Sequence, residues 1–306
     1  MDKKIILCAP MQGFTDSIWR NAHYRIFGGV DAYYTPFARI EHNEILKRDI
    51  RDIDPSNNSA PIIPQIIACK AEDAVKMAKK IKEMGYNEID INLGCPFPPI
   101  ALHHKGSGML SYPSEIKNLM EQLSEVDDVN YSVKMRLGWN NPEQWKDALA
   151  IINEYNVTQV TIHPRIGRQQ YKGDLLLDQI ADFIDASNAP VIFNGGITSA
   201  TDIDSIEQRW PKLKGVMLGH GLISNPALLS KRELSAESIE EFHNELLAGY
   251  SQRLNGGEAQ LIKKMQNLWE EMLPKADHKA HKLIRKANTL PKYEQAVGAL
   301  LNSLKI

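Results

Sequence analysis

The chain has 306 residues, of which 43% are apolar and 24% charged, with a formal net charge of −2 at pH 7. That apolar share suffices for a large core, and no apolar run approaches the roughly 18 residues of a membrane span. The small negative charge excludes a globally basic nucleic-acid binder, so any contact with RNA must come from a local patch. The opening stretch Met1-Asp2-Lys3-Lys4-Ile5-Ile6-Leu7 breaks at Pro10, too soon for a secretory leader, and reads as the first strand of a cytoplasmic protein. Cys8, Cys69 and Cys95 are odd in number and widely spaced, with no metal-type pattern, so no metal site is expected. Cys8 and Cys69 stand in apolar surroundings as small core residues.

Short β-branched runs then recur along the chain, at Ile5–Ala9, Ala32–Thr35, Ile62–Ala68, Glu88–Leu93, Tyr131–Arg136, Gln159–His163, Val191–Asn194 and Val216–Gly219. They are continuously apolar rather than alternating, as suits parallel strands buried on both faces. Amphipathic stretches such as Glu72–Met84, Pro142–Tyr155 and Thr201–Arg209 separate them, with Asp16, Asn141 and Ser199 as candidate N-caps and Gly28 and Gly85 as helix stops. This alternation predicts a (β/α)8 TIM barrel over residues 1–235. A doubly wound open sheet fits less well, because Pro10-Met11-Gln12-Gly13 is no glycine-rich fingerprint. Beyond Ser235 only helical patterns remain, at Glu237–Arg253, Glu258–Met272, Lys275–Asn288 and Pro291–Leu304. Residues 236–306 are therefore expected to form a small C-terminal all-helical domain, too small to be stable without packing on the barrel.

Reactive groups in such a barrel sit at the C-terminal ends of the strands. Pro10 and Met11, Gln65, Asn92 with Cys95, Lys134, His163 with Arg165, Asn194-Gly195-Gly196 and Gly219-His220-Gly221 all fall there. The glycines after the last two strands let backbone N–H groups approach a phosphate, ahead of helix N-termini that favour negative charge. A strand-end Lys134 needs an anionic partner, either a ligand or a neighbour such as Asp90. Gln65 is a heterocycle ligand or a satisfied core amide, and His163 a phosphate or ribityl ligand or a structural histidine. Cys95, between Gly94 and Pro96, is placed as an acid or a nucleophile. Cationic neighbours would favour its thiolate and apolar packing its thiol.

The ordered set Ala9-Pro10-Met11, Pro64-Gln65-Ile66, Asp90-Ile91-Asn92-Leu93-Gly94-Cys95-Pro96, Lys134-Met135-Arg136-Leu137-Gly138-Trp139 and Thr161-Ile162-His163, with Arg165 and Tyr171-Lys172-Gly173, resembles the tRNA-dihydrouridine synthases from about Leu7 to Pro226. The resemblance implies FMN-dependent reduction of the uracil C5–C6 bond, with NADPH regenerating the reduced flavin. Hydride would pass from flavin N5 to C6, and Cys95 would protonate C5. It further implies Pro10 and Met11 under the isoalloxazine, and Gln65 and Lys134 at its pyrimidine edge. His163, Asn194, Gly195, Gly196, Gly219 and His220 would lie near ribityl and phosphate, and Asn92, Arg165 and Tyr171 beside the flipped uracil. Three departures stand out. Gly196 replaces the family's usual aspartate, His220 its usual arginine, and Phe97–His104 its usual polar and basic loop. His220 makes weaker, more pH-sensitive FMN binding an expectation, and of the altered loop only His103, His104 and Lys105 remain to meet RNA.

From Lys263 to Ile306 there are nine Lys or Arg against four acids. Lys275, Lys279, Lys282 and Lys286 follow helical spacing and are expected on one face, with Ala276, Ala280, Leu283, Ile284 and Ala287 opposite. Such a stripe is a solvated face or a phosphate contact, and with the barrel motifs it is read as binding tRNA or another structured RNA as a monomer. Competing readings are a synthase acting on ribosomal RNA, a flavin barrel acting on a free pyrimidine, and an RNA-binding barrel without turnover.

Overall fold

The computed structural model describes residues 4–304, so Met1, Asp2 and Lys3 of the opening stretch and Lys305 of the basic tail lie outside the described residues. Every predicted strand forms: β1 (Ile5–Cys8), β2 (Ala32–Tyr34), β3 (Ile62–Ile63, continued as Gln65–Ile66), β4 (Glu88–Leu93), β5 (Asn130–Gly138), β6 (Val157–Ile166), β7 (Val191–Asn194) and β8 (Gly215–Leu218). Neighbours pair in parallel, and β8 returns to β1 with Gly215 opposite Ile5. Pro64, which has no N–H for a ladder, divides β3. Its first half pairs with Tyr33 and Tyr34 of β2, and its second with Asp90 and Ile91 of β4. The Pro64 carbonyl still accepts from Asp90 N at 2.8 Å. The sheet closes across this divided strand into a barrel.

The connections carry α1 (Ser17–Ile26), α2 (Lys47–Ile53), α3 (Ala71–Glu83), α4 (Pro98–Ala101), α5 (Pro113–Ser124), α6 (Gln144–Ile152), α7 (Ile180–Ala186), α8 (Ala200–Arg209) and α9 (His220–Ser224). A small hairpin, Ile40–Glu41 with Glu44–Ile45, precedes α2. Asp16 and Ser199 cap α1 and α8 as expected. Asn141 instead accepts from Glu143 N at 3.0 Å in the turn before α6, so that helix begins later than its sequence pattern suggests.

Four helices complete the described chain: α10 (Ala236–Arg253), α11 (Gly257–Glu271), α12 (His278–Lys286) and α13 (Leu290–Ser303). They share a continuous apolar core with the barrel. Phe242 of α10 packs edge-on against Trp19 and Phe27, at 6.1 and 5.5 Å between centroids. Asp16 is the polar centre of this junction. Its carboxylate accepts from Trp19 N at 3.3 Å, Tyr250 Oη at 2.8 Å and Lys264 Nζ at 3.0 Å. Burial alone would raise that carboxyl, but Lys264 and the three hydrogen bonds outweigh it and hold Asp16 below its usual range.

The tail departs from the sequence pattern in two places. The Asp277 side chain accepts from Lys279 N at 2.9 Å and starts α12 at His278, so Lys275 lies in the preceding turn rather than on the helix. Leu283 is 56% exposed and does not join Ala280 and Ile284 in the apolar face. Those two, with Ala287, fill the width that the neighbouring helices cover.

Asp16→Ala removes a cap and two tertiary hydrogen bonds together, and should lower the unfolding free energy by about 2 kcal/mol in urea denaturation. Because the folded-state pKa is lowered, the stabilisation is present above the unfolded value of about 4 and is lost as pH falls through the folded one. Stability should therefore decline less steeply in the variant than in the parent between about pH 5 and about pH 3.

Candidate active site

The C-terminal strand ends surround a cavity of about 460 Å³, a usual size for a small-molecule site. Its lining follows from the two-residue repeat of a strand. Asp90 and Asn92 on β4, Ser132, Lys134 and Arg136 on β5, and Thr161, His163 and Arg165 on β6 alternate onto the inner face. The ladders set Asp90 beside Ser132, Lys134 between Asn92 and Thr161, and Arg136 beside His163. Every residue the sequence nominates for a cofactor lines the cavity except Gln65, and Asn92, Cys95, Arg165 and Tyr171 line it too.

Gln65 lies beneath the floor, fully buried. Its Nε2 donates to Asp90 at 2.6 Å and its Oε1 accepts from Asn92 Nδ2 at 2.7 Å. Of the two readings open for it, the satisfied core amide is the one that forms. Asn92 passes this order upward, since its Oδ1 accepts from the backbone N–H groups of Gly94 and Cys95 at 3.0 and 2.8 Å. Ser132 donates to the other Asp90 oxygen at 2.6 Å, yet burial pushes Asp90 up to about 7.

Lys134 makes no ion pair or hydrogen bond with the described residues, so the anticipated bridge to Asp90 does not form. Burial, and then the nearby Arg136 charge, lower its ammonium to about 8. None of the cavity's lining residues is acidic. A cation held without a partner in such a place awaits an electron-rich ligand.

Arg136 is the residue that reading the motifs alone passed over, although the alternation with Ser132 and Lys134 puts it on the same face. It is 1% exposed. Its guanidinium donates to Gly94 O at 3.0 Å, Ile166 O at 3.1 Å and Gln170 O at 2.6 Å, and lies 5.4 Å from the centre of the Tyr171 ring. The Cys95 loop, the end of β6 and the Tyr171 loop thus converge on one side chain.

Cys95 is half-buried, and its carbonyl accepts from Ser107 N and Oγ at 3.1 and 2.8 Å. Burial raises its thiol, outweighing the Phe97 N–H and the Arg136, Lys134 and Arg39 charges that favour thiolate. The acid-or-nucleophile question left open by sequence is answered toward an acid. Burial, with Arg136, Lys134, Arg165 and His220 adding to it, pushes His163 well below the usual histidine range, so its ring is neutral. Arg165 Nη1 can only donate, so His163 Nε2 accepts at 3.1 Å and the ring hydrogen sits on Nδ1. The rest of the Arg165 guanidinium donates to Gly173 O at 3.0 and 3.2 Å.

At the glycine-rich end, Asn194 Nδ2 donates to Met217 O at 2.7 Å. A Cβ on Gly195, where φ is +124°, would come within 2.7 Å of the His163 ring, so only glycine fits. The helix N-terminus expected after β7 is already taken. The Asp202 carboxylate accepts from Thr198 N and Ser199 N at 2.8 and 2.9 Å, putting a negative charge where an anion was anticipated. His220 Nδ1 pairs with Glu271 of α11 at 3.2 Å, a contact no sequence spacing could announce across such a separation, and its Nε2 is buried without a partner. Lys279, Lys282 and Lys286 project from α12 and Lys275 from the turn, all exposed and none on the cavity. Among the described residues no group of His, Cys, Asp or Glu side chains could hold a metal ion, and no helix is long and apolar enough to cross a membrane.

A family model described as Dihydrouridine synthase (Dus) matches residues 7–298. The probable tRNA-dihydrouridine synthase 2 of Bacillus subtilis (strain 168) is 28% identical over 249 residues, covering 78% of this chain and 75% of its own. The probable tRNA-dihydrouridine synthase of Staphylococcus epidermidis (strain ATCC 35984) is 27% identical over 249 residues, covering 78% and 76%. Among solved structures, the old yellow enzyme from Trypanosoma cruzi superposes with a TM-score of 0.53 at 10% identity over 82% of this chain and 95% of that one. At that identity the likeness concerns the barrel fold alone.

Iodoacetamide should label Cys95 slowly at neutral pH, with a rate still climbing above about pH 9. A rate that levels off below about pH 7.5 would show a thiolate and overturn the protonated thiol.

Proposed function

This chain belongs to the dihydrouridine synthase family, and on that premise we propose that it reduces the C5–C6 bond of uridine in tRNA, as a cytoplasmic monomer with FMN as bound cofactor and NADPH as reductant. Residues 1–235 would carry the chemistry and residues 236–306 the grip on RNA. One feature of the cavity supports this above others: a partnerless Lys134 and a protonated Cys95 share a chamber with no acidic lining.

FMN fits the residues present. The phosphate end needs close backbone approach and no competing acid, which Gly195, Gly196 and Gly219 supply together with the free Nε2 of His220. Lys134 would meet the acceptor edge of the ring system and Pro10 with Met11 its face, while His163 and Asn194 hold the chain leading to the phosphate. Gln65 acts one layer down, by fixing Asn92. Bound and reduced, the flavin supplies the hydride that C6 receives.

Protein groups do the rest. Arg165 and Tyr171 flank the uracil after it leaves its stack, a step that unpaired RNA makes easier than a helix does. Asn92 holds the Cys95 backbone by its two N–H contacts, so the thiol meets the base from a fixed position. As charge develops on the ring, Cys95 Sγ gives its proton to C5, a contribution worth about 10²–10⁴-fold. Lys279, Lys282 and Lys286, with Lys275 beside them, offer cations to the phosphate backbone.

Cys95→Ala should keep its flavin absorbance and NADPH oxidation, and lose at least about 10²-fold in dihydrouridine formation. Mass-spectrometric mapping of tRNA from cells lacking this protein should show a missing dihydrouridine. An unchanged tRNA map, or a purified protein without flavin, would sink the reading, and loss from ribosomal RNA would redirect it.

Lys134 gives a pH test. Its ammonium is charged below about 8 and neutral above, and a ligand that accepts from it prefers the charged form. Flavin affinity should therefore fall as pH rises through about 8, and Lys134→Met should bind weakly at every pH without that slope. Replacing Lys279 and Lys282 by Glu should weaken tRNA binding and flatten its salt dependence while flavin stays bound.

A further inference from the structure

Two of the large hydrophobic side chains exposed to solvent, Phe97 at 59% and Tyr171 at 52%, line the cavity itself. A third, Leu102 at 66%, ends the short helix that begins after Phe97. A phenyl ring so placed is ordinarily turned inward, and here the backbone prevents it. Pro98 forces extended geometry on the residue before it, and Phe97 has φ −65° and ψ 118°. Pro98 and Pro99 open α4, where their missing N–H groups are not needed. The Phe97 carbonyl accepts from Ile100 N and Ala101 N at 2.8 and 2.9 Å. Behind this turn, a Cβ on Gly108 would lie 1.9 Å from Ala101 O, so α4 is seated directly on the segment Gly106–Ser111.

The basic side chains expected to meet RNA from this loop are partly engaged elsewhere. His104 stacks on Tyr112 with 3.7 Å between centroids and pairs with Glu115 at 2.8 Å. What the loop offers outward at the cavity mouth is the Phe97 ring.

On the reading above, that the substrate is RNA, we infer that Phe97 is the stacking platform for the nucleobase adjoining the uridine being reduced. The Phe97 N–H faces Cys95 Sγ, and the two residues have Cα atoms at most about 7 Å apart. A uracil whose C5 reaches that sulfur therefore brings its neighbour past the Phe97 ring. Extruding one base strips a stacking face from the next, and an aromatic ring held at that point covers it. The cavity continuous with the ring carries Lys134, Arg136 and Arg165 and no acid, which favours a phosphate-bearing partner over an apolar protein face. Stacking accepts any base, so this loop adds affinity and alignment rather than sequence choice.

The test compares Phe97→Ala, Phe97→Leu and Phe97→Trp with the parent by fluorescence anisotropy on an unmodified tRNA transcript across a salt series. Phe97→Ala and Phe97→Leu should bind about ten- to a hundredfold more weakly, and Phe97→Trp within about threefold of the parent. The slope of log affinity against log salt should be the same in all four, because no phosphate contact is lost. Leucine keeps the apolar bulk without a π-face, so the Leu–Trp pair decides the matter even where the alanine variant folds poorly. Equal affinity in Phe97→Leu and the parent overturns the platform while leaving the proposed activity intact. Equal losses in Phe97→Leu and Phe97→Trp overturn it as well, as does a parent dimer in sedimentation that Phe97→Leu dissociates, which would put a second copy on the ring. A parent that binds no tRNA removes the RNA reading and the platform together.

Discussion

A guanidinium keeps its charge wherever it is placed, so burying one obliges the fold to bring acceptors to it. Arg136 is buried at the mouth of the barrel, and its acceptors are carbonyls from the Cys95 loop, the end of β6 and the Tyr171 loop. Burial lowers it only to about 10, so it remains a cation. Three segments that would otherwise move independently are thereby set against one rigid, planar donor. Position of the acid, shape of the cavity and sign of its potential all follow from that one buried charge.

Beneath Arg136 the barrel interior is graded from satisfied to unsatisfied. At the lower level Gln65, Asp90, Ser132 and Asn92 exhaust one another in a closed network. One step higher Lys134 has nothing, and the Thr161 hydroxyl beside it is also without a partner. Evenly packed polar cores do not leave such groups, because each forfeits the hydration it had in the unfolded chain. The boundary between the two levels marks where protein ends and ligand is meant to begin.

The helical region is joined to this barrel by a charge of the opposite kind. Asp16 caps α1 and simultaneously accepts from Tyr250 and Lys264, so the first helix of the barrel cannot be properly ended without α10 and α11 in place. The His220–Glu271 pair makes a second tie, from the glycine-rich end of the cavity to α11. Basic side chains on α12 are therefore carried on a body fixed relative to the reactive centre.

Much of this was legible in the residues alone, for a physical reason. Strands buried on both faces must be continuously apolar, helices between them must be amphipathic, and turns need glycine or a capping side chain. These are local demands, and they placed every barrel strand, the Asp16 and Ser199 caps, and the ring of Cys95, Lys134, His163 and the glycines at the strand ends. What local pattern cannot express is which of several possible partners a side chain meets. That Gln65 is spent on Asp90 and Asn92 while Lys134 is not spent on anything depends on inter-strand register. So does the raised thiol of Cys95, which turns on burial outweighing three cations. The start of α12 at Asp277, the loss of the α8 terminus to Asp202, and the Glu271 contact depend on how the elements dock. The composition and periodicity of this chain determined a barrel with a reactive rim. Only the packed structure decided which of its charges are already satisfied and which are left for a substrate.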